Sequence, residues 1–255
     1  MKLFPTHPDP PVVKSWHVPI SKVKLADLVD DRWDLTLRKI LPEINGINDV
    51  RRIAHNADVS LDLTKTALQH LLYYQTIIML DLFLMGNIYA VMPGITDFVN
   101  NVDDIQGECG DYVCKYNLRF SSYDLCRLFT SFSYGRSVKD WLKLHADEGR
   151  DVFRYVDIRR LVQFGVIKGL MRLVNKYAVS SQYLASLAQG DAQSDAAFEN
   201  DLNTNNGERA KALVKYTNGC HSFNQIICEM DISESDIRKE LSKMQPPGDI
   251  QILYR

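Results

Sequence analysis

At 255 residues, with 45% apolar and 24% charged side chains, the chain can form one large domain or two to three small ones. Thirty basic residues against 32 acidic ones leave a net charge of −2, without the basic excess of a nucleic-acid binder. The longest apolar run, Ile77 to Met85, contains Asp81 and falls short of the roughly 20 residues of a membrane span, and no apolar leader opens the sequence. Five cysteines, odd in number and irregularly spaced, read as free thiols of a reducing, cytosolic compartment.

Pro5, Pro8, Pro10, Pro11 and Pro19 crowd the first 20 residues, so residues 1–33 are expected to form an extended strap. A plain linker has little use for Trp16, whose large apolar face seeks burial. Pro8, Asp9, Pro10, Pro11 and Trp16 are therefore the candidate partner-binding residues, lying in a groove on another domain.

Residues 34–92 carry the pattern of a winged helix. Leu37, Ile40, Leu41 and Ile44 form a helical stripe, and Gly46 can end that helix in a left-handed turn. Asn48 is a candidate N-cap for a second helix with its stripe at Val50, Ile53, Ala54 and Ala57. Ser60 can cap a third helix reaching Leu72, after which Thr76–Leu80 and Asn87–Met92 suggest a hairpin. Residues 93–120 read as a linker.

Residues 121–179 are expected to be helical and are a candidate second winged helix. Ser122 can cap a helix through Phe132, and Val138, Trp141, Leu142 and His145 share a stripe after Gly135. Asp157–Gln163 then reads either as a third helix turning into a strand, or as part of one helix from Val156 to Tyr177. Gly165 and Gly169 would cost the single helix about 1 kcal/mol each relative to alanine, and the sequence leaves both arrangements open. Residues 180–206, poor in large apolar groups, read as a mobile surface insertion. Residues 207–255 suggest a C-terminal helix-turn-helix capped by Ser222 and Ser233, a Pro246-Pro247-Gly248-Asp249 turn, and a last strand, Ile250–Tyr254.

An internal repeat organises these elements. At an offset of 173, residues 37–80 lie over 210–253 without a gap. Asn45-Gly46 falls on Asn218-Gly219, Asp58-Val59-Ser60 on Asp231-Ile232-Ser233, and Leu68 on Leu241. The fold class is thus mostly α with small β hairpins, an α+β chain of tandem winged-helix or helix-turn-helix modules.

Functional signals are sparse. A DNA reader surrounds its third helix with Lys and Arg. Here the helix after Ser60 has Asp62, Lys65 and His70, while Glu234, Asp236 and Glu240 balance Arg238, Lys239 and Lys243 in the repeat. Neither Cys109/Cys114 nor Cys220-His221 has the close knuckle spacing of structural zinc, so no metal or cofactor is assigned. There is no phosphate loop, nucleophile elbow or H-E-x-x-H, and no residue is assigned as catalytic. Arg51-Arg52 and Arg159-Arg160 have the chemistry of arginine fingers, yet on amphipathic helices such pairs are usually a solvated face.

The strap with Trp16 and Val18-Pro19, Trp33-Asp-Leu-Thr36, Lys39 to Gly46, Ala57 to Leu61, Leu71 to Tyr74, Leu161 to Gly165 and Thr217 to Ser222 together resemble nitrogen permease regulator 2 proteins, in family order. Residues 180–206 and Asn101–Asp111 look unlike the family. The resemblance implies the C-terminal half of such a protein, without its longin domain, to which the family's GTPase-activating arginine is attributed. It implies a nitrogen permease regulator 3-type partner, a large DEP-domain subunit and, indirectly, Rag-type GTPases, in the complex called SEACIT or GATOR. That complex acts at the vacuole or lysosome surface and lowers TOR complex 1 activity during amino-acid or nitrogen starvation. A non-catalytic scaffold role is therefore expected, without nucleic acid or direct membrane insertion; the alternative is a DNA- or RNA-binding winged-helix protein.

Overall fold

The computed structural model describes residues 8–30, 32–115, 121–148, 152–189, 212–243 and 249–255. Pro5, residues 190–206 of the expected insertion, and the Pro246–Gly248 part of the expected turn lie outside the described residues. The first elements are β1 (His17–Ser21), α1 (Leu25–Leu28), α2 (Leu35–Ile40), α3 (Val50–Asn56), α4 (Leu61–Tyr73) and β2 (Ile77–Asp81). Next come β3 (Ile88–Val91), α5 (Ile95–Val99), α6 (Ile105–Val113), α7 (Ser122–Thr130), α8 (Val138–Asp147), α9 (Val152–Tyr155), α10 (Ile158–Ile167) and β4 (Met171–Val174). The chain continues through β5 (Lys176–Ser180), α11 (Ser181–Gln189), β6 (Asn218–Ser222), α12 (Phe223–Met230), α13 (Glu234–Lys243) and β7 (Ile250–Tyr254). It is an α+β chain of short helices and small antiparallel sheets. Two compact units result, one from Met1–Ile78 with Asn175–Arg255, the other from Met79–Val174.

The repeat is structural as well as sequential. α3 and α12 start at 50 and 223, α4 and α13 at 61 and 234, and β2 and β7 at 77 and 250, each 173 residues apart. Gly46 (φ 73°) matches Gly219 (φ 76°), and Asp58 (φ 52°) matches Asp231 (φ 53°). Aspartate tolerates this left-handed region better than most non-glycine residues, which suits it to the turn between two helices. Ile40 and Leu213 occupy equivalent positions and are both essentially buried. Caps agree in part. Ser60, Ser222 and Ser233 each accept from a backbone N–H three residues on. The cap of α3, however, is Asp49, whose carboxylate accepts from the Arg52 N–H at 3.1 Å. Asn48 is buried and donates to Glu43 instead.

Strand pairing departs from the expected hairpin. β2 pairs with β1, whereas β3 pairs with β4, Ile88 opposite Val174 and Val91 opposite Met171. The segment between β2 and β3 cannot close a tight turn because it is tied elsewhere. Asn87 Nδ2 donates to the Leu82 carbonyl, and the carbonyls of Met85 and Asn87 accept from Lys139 and Val138. In the second repeat, β7 likewise pairs with an upstream strand, β5, with Lys176 opposite Tyr254 and Ser180 opposite Ile250. The β6-β5-β7 order is completed by β5 pairing with β6. Each repeat therefore ends in a strand that joins one already made.

In the Met79–Val174 unit, residues 93–120 hold α5 and α6, whose Phe98, Cys109 and Val113 are fully buried. Phe98 packs edge-on against Phe129 at 4.9 Å, and Trp141 stacks on Phe132 at 4.4 Å. α7 begins after Ser121, not Ser122, and ends at Thr130. The region 156–177 is a helix followed by strands. Gly169 (φ 70°) ends α10, and the Leu170 N–H returns to the Gly165 carbonyl at 2.8 Å before β4 begins. Gly165 is demanded by contact: a Cβ there would lie 2.8 Å from Met171 Cγ and 2.9 Å from Phe129 Cε1. Gly165→Val should thus destabilise this unit by about 1–3 kcal/mol through overpacking, measurable as a lower urea midpoint. An unchanged midpoint would refute the contact.

Ser180, the first residue of the expected 180–206 insertion, ends β5, and the next nine, Ser181–Gln189, form α11. Its start is held by Asp249, which accepts from the hydroxyls of Ser180 and Ser181 and from the Gln182 N–H. Those bonds keep the Asp249 carboxyl below its ordinary range.

Candidate functional site

The strap settles on its own unit through two valines. Val13 and Val18 are buried, at 3% and 4% exposure, while Val12 stands 72% exposed. Pro8, Asp9 and Pro11 are exposed; Pro10 and Trp16 are half-buried. Trp16 has the Lys14 ammonium 5.2 Å from its ring and the edge of His17 at 6.1 Å, both from the strap itself. A tight turn shapes this segment, the His17 N–H donating to the Lys14 carbonyl at 3.2 Å. Val13 lies between exposed Val12 and Lys14, and an apolar side chain just after the prolines was the signal that could have identified it.

The strap meets both repeats at one point. The Ser15 carbonyl accepts from the Arg51 N–H at 3.2 Å, and Cys228 Sγ lies 3.8 Å from the same oxygen. Arg51 also sends its guanidinium to the carbonyls of Cys228 and Glu229 near the end of α12. A cation there complements the negative end of the helix and gives its last carbonyls a partner. Cys228 donates its thiol proton to Asp49 Oδ2 at 3.0 Å, so the residue capping α3 also receives a bond from α12. Glu229 in turn accepts from the Tyr216 hydroxyl at 2.8 Å and from Gln225 at 3.0 Å.

Burial, followed by the hydrogen bond to Asp49, pushes the Cys228 thiol up to about 12. A thiol so held stays protonated at neutral pH and is a donor, not a nucleophile. Because its folded pKa is raised above the usual 9.0, its contribution is intact below about pH 9 and is lost as pH rises toward about 12. Cys228→Ser should therefore flatten the alkaline limb of a stability–pH curve between about 9 and 12. Superimposable limbs would refute this assignment. Burial likewise raises Cys109 to about 12 in the other unit.

The arginine pairs share a local design. Asp49-Val-Arg-Arg52 and Asp157-Ile-Arg-Arg160 each open a helix under an aspartate cap. Arg51 is engaged as described, and Arg160 lies 5.9 Å over the Tyr112 ring. On α13 each cation has an acidic neighbour: Arg238 with Glu234 at 3.0 Å, Lys239 with Asp236 at 3.3 Å and Lys243 with Glu240 at 2.7 Å. Among the described residues, no group of three or more His, Cys, Asp or Glu side chains is arranged to hold a metal ion. The geometry makes a bonded junction of the strap and the two repeats.

A profile of the family described as "Nitrogen permease regulator 2" matches residues 1–123 and 114–245. The chain is 34% identical over 259 residues to the "Nitrogen permease regulator 2 homolog" of Schizosaccharomyces pombe, covering 100% of this chain and 57% of that protein. It is 28% identical over 245 residues to the "GATOR complex protein NPRL2" of Drosophila melanogaster, covering 95% and 52%. Similarity to "Nitrogen permease regulator 2" of Saccharomyces cerevisiae is 32% over 114 residues, 44% of this chain and 18% of that protein. The chain spans about half the length of the first two curated relatives.

Proposed function

Because the chain belongs to the nitrogen permease regulator 2 family, we propose that it is a non-catalytic scaffold segment of a Rag-GTPase-activating complex of the GATOR or SEACIT kind. In that role it pairs with a nitrogen permease regulator 3-type subunit, joins a DEP-domain large subunit, and helps restrain TOR complex 1 when amino acids or nitrogen are scarce. It works in the cytoplasm and is recruited with the complex to the vacuole or lysosome surface. No described helix is long and apolar enough to cross a membrane. Pro8, Asp9, Pro10, Pro11 and Trp16 are its partner-docking residues in this reading.

The observation that carries the reading is the junction itself. Arg51 and Cys228 reach across to each other's helices, Cys228 through Asp49, and both meet the strap at Ser15, which is the use of polar groups expected of a rigid support. We read the two repeats as winged-helix-type modules whose sheets take an upstream strand, β1 or β5, where a DNA reader would build its wing. The ion-paired surface of α13 is of little use to a phosphate backbone, which needs uncompensated cations.

Co-expression of the chain with the nitrogen permease regulator 3-type subunit, followed by size-exclusion chromatography with light scattering, tests the proposal. A one-to-one peak, with Rag GTP hydrolysis unaltered by this chain alone in single turnover, is expected. Separate peaks, or acceleration by the chain alone, would overturn it. Tight, salt-sensitive duplex binding would return the nucleic-acid reading.

A further inference from the structure

Arg51 makes two kinds of bond from one position. Its backbone N–H holds the strap at Ser15, and its guanidinium holds the end of α12 at Cys228 and Glu229. Cys228 closes the triangle, its thiol on Asp49 beside Arg51 and its sulfur against the Ser15 carbonyl. A lone thiol proton serves one acceptor well at a time, and the 3.0 Å contact to the carboxylate is the stronger. The Arg51 N–H is therefore the principal donor to the strap carbonyl. The strap's apolar anchor, Val13, lies two residues before this carbonyl, and exposed Val12 precedes it.

We infer that the strap and the junction between the two repeats form one coupled latch, in which release of the strap loosens the end of α12 and loosening of α12 releases the strap. Coupling of this kind is a shared free energy and must be reciprocal. It arises because the first turn of α3 is positioned from both sides. Asp49 is fixed by the Cys228 thiol, Arg51 by the α12 carbonyls, and the intervening N–H direction decides whether Ser15 finds a donor. The latch is a property of this chain alone and does not rest on the partner reading above. Combined with that reading, it gives a docked strap a route to the helix-turn-helix pair.

Hydrogen exchange on the full chain tests the coupling. Arg51→Met leaves every backbone N–H in place and touches the strap only through the latch. It should speed exchange at the amides of Arg51, His17, Val18, Ile20 and Ser21, as well as in α12, by about tenfold, the effect of losing a charge-assisted bond. Val13→Ala, which leaves the guanidinium untouched, should in return speed exchange in α12. If Arg51→Met yields too little folded protein, Arg51→Lys, which keeps the charge but not the planar fork, is read in the same way. Acceleration confined to the side carrying each substitution would overturn the inference, as would no acceleration at all.

Discussion

Trp141→Ala should lower the stability of the Met79–Val174 unit by about 3–5 kcal/mol, the range for truncating a fully buried aromatic. Trp141 is 1% exposed, stacks on Phe132 at an interplanar angle of 10°, and meets the edge of His145 at 4.6 Å. Its indole N–H donates to Ser131 Oγ at 2.7 Å, while that hydroxyl donates onward to the Leu128 carbonyl at 2.7 Å. The substitution therefore empties a ring-sized volume and removes the donor to a half-buried hydroxyl. Trp141→Phe, which keeps an aromatic ring but no donor, should lose only about 1–2 kcal/mol. Urea unfolding followed by near-ultraviolet circular dichroism reads both. A loss below about 1 kcal/mol for the alanine variant would show that the core tolerates a void there.

The second large effect is expected where β5 meets α13. Lys176 and Glu234, with side chains 5% and 20% exposed, pair at 2.7 Å, and Glu234 also accepts from Arg238 at 3.0 Å. Removing one partner of a buried pair leaves a charge poorly compensated, so Glu234→Ala should cost about 3 kcal/mol. Replacing both partners by apolar groups of similar size, Lys176→Met with Glu234→Leu, should recover most of that loss. A double variant as unstable as the single one would mean that Glu234 acts through Arg238 and the α13 surface instead. The pair matters to the topology because it ties a strand from before the second repeat to that repeat's own helix.

Much of the order of helices and turns in the two repeats was legible because its determinants are local. Gly46, Ser60, Ser222 and Ser233 sit where turns and caps need them, and the stripes at Val50, Ile53 and Leu68 are buried as the helical period requires. The hairpin was misread because strand partners are chosen by tertiary context. Thr76–Leu80 has the composition of a strand, but nothing in it specifies β1 over β3. α5 and α6 were hidden by Gly107, Gly110 and acidic residues, with Asn101, Asp103 and Asp104 in left-handed conformations between the helices. Sequence singled out the strap and Trp16 as the candidate site; Val13 supplies its buried anchor. The junction was out of reach: Arg51 and Cys228 are separated by 177 residues, and no spacing rule connects them.

The Met79–Val174 unit interrupts the other in sequence, entering and leaving beside paired strands with Ile88 opposite Val174. Synthesis has an order as a result. A ribosome finishes the inserted unit while the first repeat still lacks its counterpart, and Cys228 emerges only after that unit is complete. During that interval the first turn of α3 has the Ser15 carbonyl but no α12 to hold. A nascent chain stalled before residue 223 should accordingly present a completed insert together with an unlatched strap, the state in which a chaperone or an early partner would find it.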